Sequence, residues 1–257
     1  MLTARQAALA GRADAEVIGV VDTAAVDVLV DDDVLQAMLA AADVVCLGGP
    51  SGGRFMAARA AARQGVHALL EWPPATSMHE GEAIMRLADE AGTTCRVSRP
   101  LRRHPLLAAW PVGARARLVT LQLSGIPSEA RWSHVLADAC DLVCYLTGSY
   151  SVQRIEAEAV RGYAAHPGAV AFSIRFHNGS YAQVRLQRSP SPYRSHLYAG
   201  NRDHHLDTDL DDQTSALIAS ETNAFIGYLG GGAPAAVSLL DGLCVMRIVE
   251  TLMQQLR

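Results

Sequence analysis

The stretch Asp43–Pro74, DVVCLGGPSGGRFMAARAAARQGVHALLEWPP, decides the fold. Its apolar run Val44–Leu47 ends in Gly48, Gly49 and Pro50, and an alanine-rich segment follows that Gly65 closes. That order predicts a buried parallel strand, a tight turn and a crossover helix. A second apolar run, His67–Leu70, carries Glu71-Trp72-Pro73-Pro74 at its carboxyl end. Ligands of open α/β sheets bind outside the carboxyl ends of the strands. The loops Pro50–Arg54 and Glu71–Pro74 are therefore expected to line one cleft.

Upstream, the pattern predicts a helix over Leu2–Ala10, short strands over Glu16–Val21 and Val26–Val30, and a helix over Asp31–Ala42, whose leading aspartates suit its positive dipole end. Downstream, Ser77 and Glu80 form a capping box at the head of a helix ending at Gly92, and the strand Thr94–Ser98 closes a first domain, residues 1–98. Residues 99–257 read as a second, α+β domain. Strands are predicted over Leu118–Leu123 and Val152–Val160, and a hairpin turns at Asn178-Gly179, with Val170, Phe172, Ile174 and Phe176 alternating before it and Val184 and Leu186 after. A helix Trp132–Gly148 lies between, and the helices Ser215–Tyr228 and Ser238–Gln255 close the chain.

Composition narrows the function. At 257 residues the chain can bury a sizeable core. No apolar run approaches the roughly 18 residues of a membrane span, and the N-terminus has neither an apolar signal core nor a basic flank, so the reading places the protein in the cytoplasm with no membrane partner. A net charge of −4 without a basic stripe argues against nucleic acid. The five cysteines lie in apolar contexts without metal spacing and read as buried thiols. The segment HHLDTDLDD, His204–Asp212, fits an exposed strand better than a metal site. All 22 basic residues other than histidine are arginine, which excludes Schiff-base chemistry and lysine acid catalysis.

With these elements in order, the chain resembles the Gfo/Idh/MocA family of sugar and inositol oxidoreductases. That family's pattern is strand-TPxxxxH, a helix ending in GxH, then strand-EKP. The resemblance runs on through RVSRPLRRHP (Arg96–Pro105) and WSHVLADACDLVCYLTG (Trp132–Gly148) to SLLDGLCVMRIVETL (Ser238–Leu252). It implies a Rossmann-like parallel sheet followed by an α+β domain with a mostly antiparallel open sheet. Here that first domain is expected to be N-terminally truncated, because no GxGxxG turn, the usual pyrophosphate cradle, occurs in the chain. The expected repair pairs Glu16–Val21 directly with Val44–Leu47. The resemblance also implies a homo-oligomer formed through the open sheet.

The family's D-x-x-x-H-x-x-D helix appears as H-x-x-x-D-x-x-D: His134, Asp138 and Asp141 lie four and three residues apart on one helical face. His134 and Asp138 are the candidate proton-transfer pair, while a helix-capping histidine and a solvated aspartate form the bland alternative. Trp72 stands in place of the EKP lysine and offers a flat face for a ring. Glu71 survives, and Arg54, Arg102, His104 and Asp141 join it as expected contacts for a polyhydroxylated or anionic small-molecule substrate. The leading expectation is an enzyme that has lost NAD(P), uses no cofactor and no metal, and performs acid/base chemistry (elimination, isomerisation or cyclisation) on a sugar-like or secondary-metabolite substrate. The alternatives are an NAD(P)-dependent oxidoreductase whose start is mis-assigned, and a non-catalytic partner or ligand sensor.

Overall fold

A computed structural model describes residues 2–10, 12–19, 33–49, 51–111, 113–127, 131–161, 167–189, 194–209, 214–232 and 237–257. The chain forms two compact units, Met1–Pro100 with Thr214–Leu243, and Leu101–Gln213 with Cys244–Arg257. The sequence reading placed one boundary after Ser98. The chain instead crosses at Pro100 and returns to the first unit for 214–243.

In the first unit, β1 (Val44–Leu47), β2 (His67–Leu70) and β3 (Cys95–Val97) are parallel, and β10 (Val237–Ser238) runs antiparallel to β3, in the order β1-β2-β3-β10 among the described residues. The crossovers are α3 (Ser51–Arg63) and α4 (Met78–Glu90). Both faces of β2 are covered, which is why it is nearly continuously apolar. On one side Leu35 and Leu39 of α2 (Asp33–Ala41) pack with Ala61 and Val66. At the head of α4, Ser77 accepts from the Glu80 amide at 3.2 Å, and Glu80 reaches back to the amide of Thr76 at 2.8 Å rather than to that of Ser77. Close approach of α7 (Leu239–Gln255) to α4 and to β3 requires small residues: a Cβ on Gly81 would lie 2.1 Å from Leu243 Cδ2, and one on Gly242 2.5 Å from Val97 Cγ2.

The expected strand at Glu16–Val21 is not formed where the structure describes it. Residues 16–19 are irregular, with Val17 and Ile18 exposed, and among the described residues β2 is the strand partner of β1. With no strand partner among the described residues, this segment has no ladder to satisfy its backbone groups and stays irregular. Residues 20–21 and the expected strand Val26–Val30 lie outside the described residues.

The second unit is built on a six-stranded sheet in the order β5-β6-β7-β4-β8-β9. Its strands are β4 (Leu118–Ile126), β5 (Val152–Arg161), β6 (Pro167–Phe176), β7 (Tyr181–Arg188), β8 (Arg194–Gly200) and β9 (His205–Asp209). All neighbours are antiparallel except β4 and β7. Val170, Phe172, Ile174 and Phe176, with Ala182, Val184 and Leu186, form the buried face. Gly179 makes the hairpin turn at φ 83°, a left-handed conformation that favours glycine. Helix α5 (Trp132–Thr147) packs on this sheet and ends at Gly148, φ 62°. The two remaining helices, α1 (Leu2–Ala10) and α6 (Thr214–Leu229), pack together in the first unit. Among the described residues no helix is long and apolar enough to cross a membrane.

Candidate functional site

The carboxyl ends of β1, β2 and β3 carry Gly48, Glu71 and Ser98, and a buried network of charge gathers over them. Arg5, projecting from α1 and only 3% exposed, donates to Thr222 Oγ1 at 2.9 Å and to Ser98 Oγ at 2.6 Å. Its guanidinium lies 3.6 Å from Glu221 Oε2 and 3.9 Å from Glu71 Oε1. Glu221, from α6, accepts from Ser98 Oγ and from the Arg99 amide, each at 2.5 Å. Burial raises the Glu221 carboxyl above its ordinary range, while Ser98, Arg5 and the Arg99 amide pull it back down. A carboxylate this buried stays charged only when paired and hydrogen-bonded, and this network supplies both conditions. Gly48 makes the room: a Cβ there would meet Glu71 Oε2 at 2.9 Å.

Arg54 secures the same end of the sheet from below. It sits in the first turns of α3, 2% exposed, and donates to the carbonyls of Glu71 at 2.5 Å, of Pro73 and of Gly49. One side chain thus ties the β1–α3 turn to the loop after β2. Arg54, expected as a substrate contact, is instead buried with its charge spent on backbone carbonyls. Desolvation lowers its pKa and the Glu71 carboxylate raises it, leaving it below its ordinary value. Trp72 is 8% exposed, with the Arg99 guanidinium 4.1 Å over its ring. The flat face expected to be open for a ring therefore already carries a cation–π partner.

In the second unit, α5 carries the candidate pair. His134 is half-buried and Asp138 exposed, whereas Asp141 is 2% exposed. The three stand on adjacent turns but in different surroundings. Arg102 grips Asp141 through Nε at 2.7 Å and Nη2 at 2.6 Å, gives Nη2 to the Tyr150 hydroxyl at 2.6 Å, and lies 5.1 Å over the Tyr145 ring. Burial works against the Arg102 charge, but Asp141 and Tyr150 more than offset it and hold its pKa above the ordinary value. His104 is 2% exposed and caps a 3-10 turn, its Nδ1 accepting from the Leu106 amide at 3.3 Å. Glu71, Trp72 and Arg54 thus belong to the first unit, and Arg102, His104, His134, Asp138 and Asp141 to the second. Among the described residues no group of three or more His, Cys, Asp or Glu is placed to hold a metal.

Sequence reasoning missed Arg5, Ser98, Glu221 and Thr222. A signal existed: Glu221 is the one charged residue of the helix Thr214–Leu229, and a charge at a core position is the informative exception.

The family described as "Oxidoreductase family, NAD-binding Rossmann fold" matches residues 3–99. Over these residues the chain is similar to the Gfo/Idh/MocA family. Solved structures extend the likeness of fold to both units. The putative myo-inositol dehydrogenase of Sinorhizobium meliloti 1021 is 18% identical, with a TM-score of 0.78 over 98% of this chain and 93% of that one. The UDP-N-acetylglucosamine 3-dehydrogenase of Acidithiobacillus ferrooxidans is 18% identical, with a TM-score of 0.74 over 86% and 81%. The scyllo-inositol dehydrogenase of Lactobacillus casei, solved with NAD(H) and scyllo-inositol, is 12% identical, with a TM-score of 0.71 over 86% and 81%. No curated protein sequence matches the chain.

The expectation of no cofactor is overturned by this likeness, because the matching family model is NAD-binding and similar structures are solved with NAD(H) or NADP+ bound. The residues here fit one end of that group. Glu71, its side chain 16% exposed, can accept ribose hydroxyls beside the Gly48-Gly49 turn. The pyrophosphate end is different: no GxGxxG turn lies in the sequence, and Arg5 and Arg54 are already bonded to protein oxygens.

Proposed function

We propose that this protein is an NAD(P)-dependent oxidoreductase acting on a hydroxylated, sugar- or cyclitol-like substrate. The observation that supports it most is the family match over residues 3–99, in whose span the carboxyl ends of three parallel strands carry an ordered, charged floor. A nicotinamide, when bound, supplies the hydride chemistry. The chain's own residues supply position and protons. Glu71 and the Gly48-Gly49 turn hold the nicotinamide ribose end, with Arg54 fixing both loops from beneath.

His134 and Asp138 form the proton-transfer pair in this reading. Four residues apart on α5, they lie one helical turn from each other. The half-buried imidazole takes a substrate hydroxyl proton, and the exposed carboxylate of Asp138 favours the resulting imidazolium. Arg102 and Asp141 position the inner face of the same helix. The outer face of the second sheet, where Gln122, Gln183 and Arg185 are exposed, is the surface for a second copy in a homo-oligomer.

The test is calorimetric titration of the whole chain with NAD(H) and NADP(H), then turnover on a panel of inositols and nucleotide sugars followed by nicotinamide absorbance. Micromolar affinity and substrate-dependent absorbance change are expected. Failure to bind either cofactor at millimolar concentration would sink the proposal.

A further inference from the structure

Three loops of the second unit meet at the end of its sheet where β4 begins: Pro111 with Gly113–Arg117, the β6–β7 turn at Asn178–Ser180, and the β8–β9 turn at Asn201–His204. They surround an open groove of about 900 Å³, within the range of small-molecule sites. Its place in the fold separates it from His134. Arg115 lies against the C-terminal end of α5, where a Cβ on Gly148 would be 3.0 Å from Arg115 Cγ. His134 sits near the other end of that helix, about 20 Å away at the usual helical rise.

The frame of the groove is fixed by its own hydrogen bonds. Asn178 donates to the Thr147 carbonyl at 3.0 Å, and its side-chain oxygen accepts from the Ser180 amide at 3.0 Å. Asn201 donates to the Arg115 carbonyl at 3.1 Å and accepts from the amides of Asp203 at 2.9 Å and His204 at 2.7 Å. Arg117 Nη1 donates to the Asn178 carbonyl at 2.6 Å. Trp110 stands edge-on to His204, ring centroids 6.4 Å apart.

Into this frame project Arg115, Arg117, Arg202 and His204, with Asp203 as the carboxylate among the described lining. None of the three arginines has an ion pair with a carboxylate among the described residues. Like charges gathered on one concave surface repel and raise the local positive potential, an arrangement relieved by an arriving anion. Guanidinium groups also present paired donors that match phosphate and carboxylate oxygens.

We propose that this groove binds a small polyanion, a phosphate ester or a polycarboxylate, at a site separate from the candidate catalytic helix. Arg115, Arg117 and Arg202 neutralise it, His204 adds a donor, and Asp203 limits the charge the site accepts. Calorimetric titration of the whole chain with inorganic pyrophosphate and with citrate distinguishes the two ligand sources, with chloride and sulfate as competitors. Saturable binding of pyrophosphate, citrate or both is expected, one per chain, and the tighter of the two names the source.

Arg202 makes no side-chain bond among the described residues, so Arg202→Gln should leave thermal unfolding unchanged while weakening binding about tenfold. Asp203→Asn should tighten binding. Three results would each overturn the proposal: no saturable binding of either anion; affinities that ignore both substitutions, which is adventitious ion pairing; or an oligomer that Arg202→Gln dissociates, which makes the groove a contact between copies.

Discussion

Arg5→Met tests whether the charge network over the parallel strands is a structural requirement of the first unit. Methionine keeps most of the unbranched stem and its packing but deletes the charge and both donors. Ser98 and Thr222 lose a partner, and Glu221, 1% exposed in its side chain, loses the cation 3.6 Å away. Removing one partner of a buried pair costs about 3–5 kcal/mol. The separation here exceeds a direct hydrogen bond and Ser98 still donates to Glu221, so the lower end, about 3 kcal/mol, applies. For a chain of this size each kcal/mol moves the thermal midpoint by about 2–4 °C, giving a fall of about 6–12 °C at neutral pH.

The same substitution has a pH signature. Burial raises the folded pKa of Glu221 above 4.5, so the stability this group contributes is full below that value and is lost as pH rises through the folded pKa. Arg5 lowers the folded pKa, and its removal lets that pKa climb further. The extra loss in the variant therefore develops above the wild-type folded pKa and shrinks as the pH falls below it and Glu221 takes up its proton in both proteins. Adding Glu221→Gln to Arg5→Met should recover part of the loss, because neighbours in one network couple. Melting curves by circular dichroism at neutral and acid pH measure all three proteins. A midpoint within about 2 °C of wild type at neutral pH, or a deficit equal at both pH values, would refute the reasoning.

The remaining predictions address the loops, the helix and the thiols. Arg54→Met removes donors to three carbonyls and should cost about 3 kcal/mol, with faster amide exchange at Glu71 and Trp72 read by mass spectrometry. Asp141→Asn leaves half-buried Arg102 without its bidentate carboxylate and should cost about 3 kcal/mol in urea unfolding, whereas Asp138→Asn, at an exposed position, should cost little. If His134 and Asp138 act as one proton-transfer unit, His134→Ala and Asp138→Asn should each lower kcat on the order of a hundredfold and the double variant little more. Burial holds the Cys144 thiol well above its usual 9.0, so it should resist thiol reagents at pH 8 until the protein unfolds.

Much of this fold is carried by local patterns. Val44–Leu47 and His67–Leu70 are short apolar runs between glycine turns, and they became parallel strands at those residues. Asn178-Gly179 flanked by alternating apolar residues became the β6–β7 hairpin. What escaped depends on partners distant in sequence. Arg194–Gly200 has the alternation of a strand only weakly, and becomes one because β4 and β9 offer backbone partners on either side. Glu16–Val21 shows the converse, an apolar run whose described part finds no partner. The capping box shifted by one residue because Thr76, with a free amide and a hydroxyl, met the Glu80 carboxylate first.

The site was legible in part, and the reason is the same. Glu71, Trp72 and Arg54 were singled out because they follow strand ends, which sequence marks. Their states were not legible, because each is set by a residue from elsewhere: Arg54 by carbonyls up to 19 positions away, and Trp72 by Arg99. Arg5 joins Ser98, 93 positions on, and Thr222, 217 positions on. No spacing rule links such residues. Their type still carries information, since an arginine within an apolar helical segment and a Glu-Thr pair within another each demand a buried partner of complementary charge or hydrogen-bonding capacity. In this chain the two demands answer one another across the strand ends, so the floor of the candidate site and the stability of the first unit depend on the same few side chains. A substitution that removes the Arg5 charge should therefore disturb Glu71 and nicotinamide-ribose binding together with folding, while Arg202→Gln, in the other unit, should disturb neither.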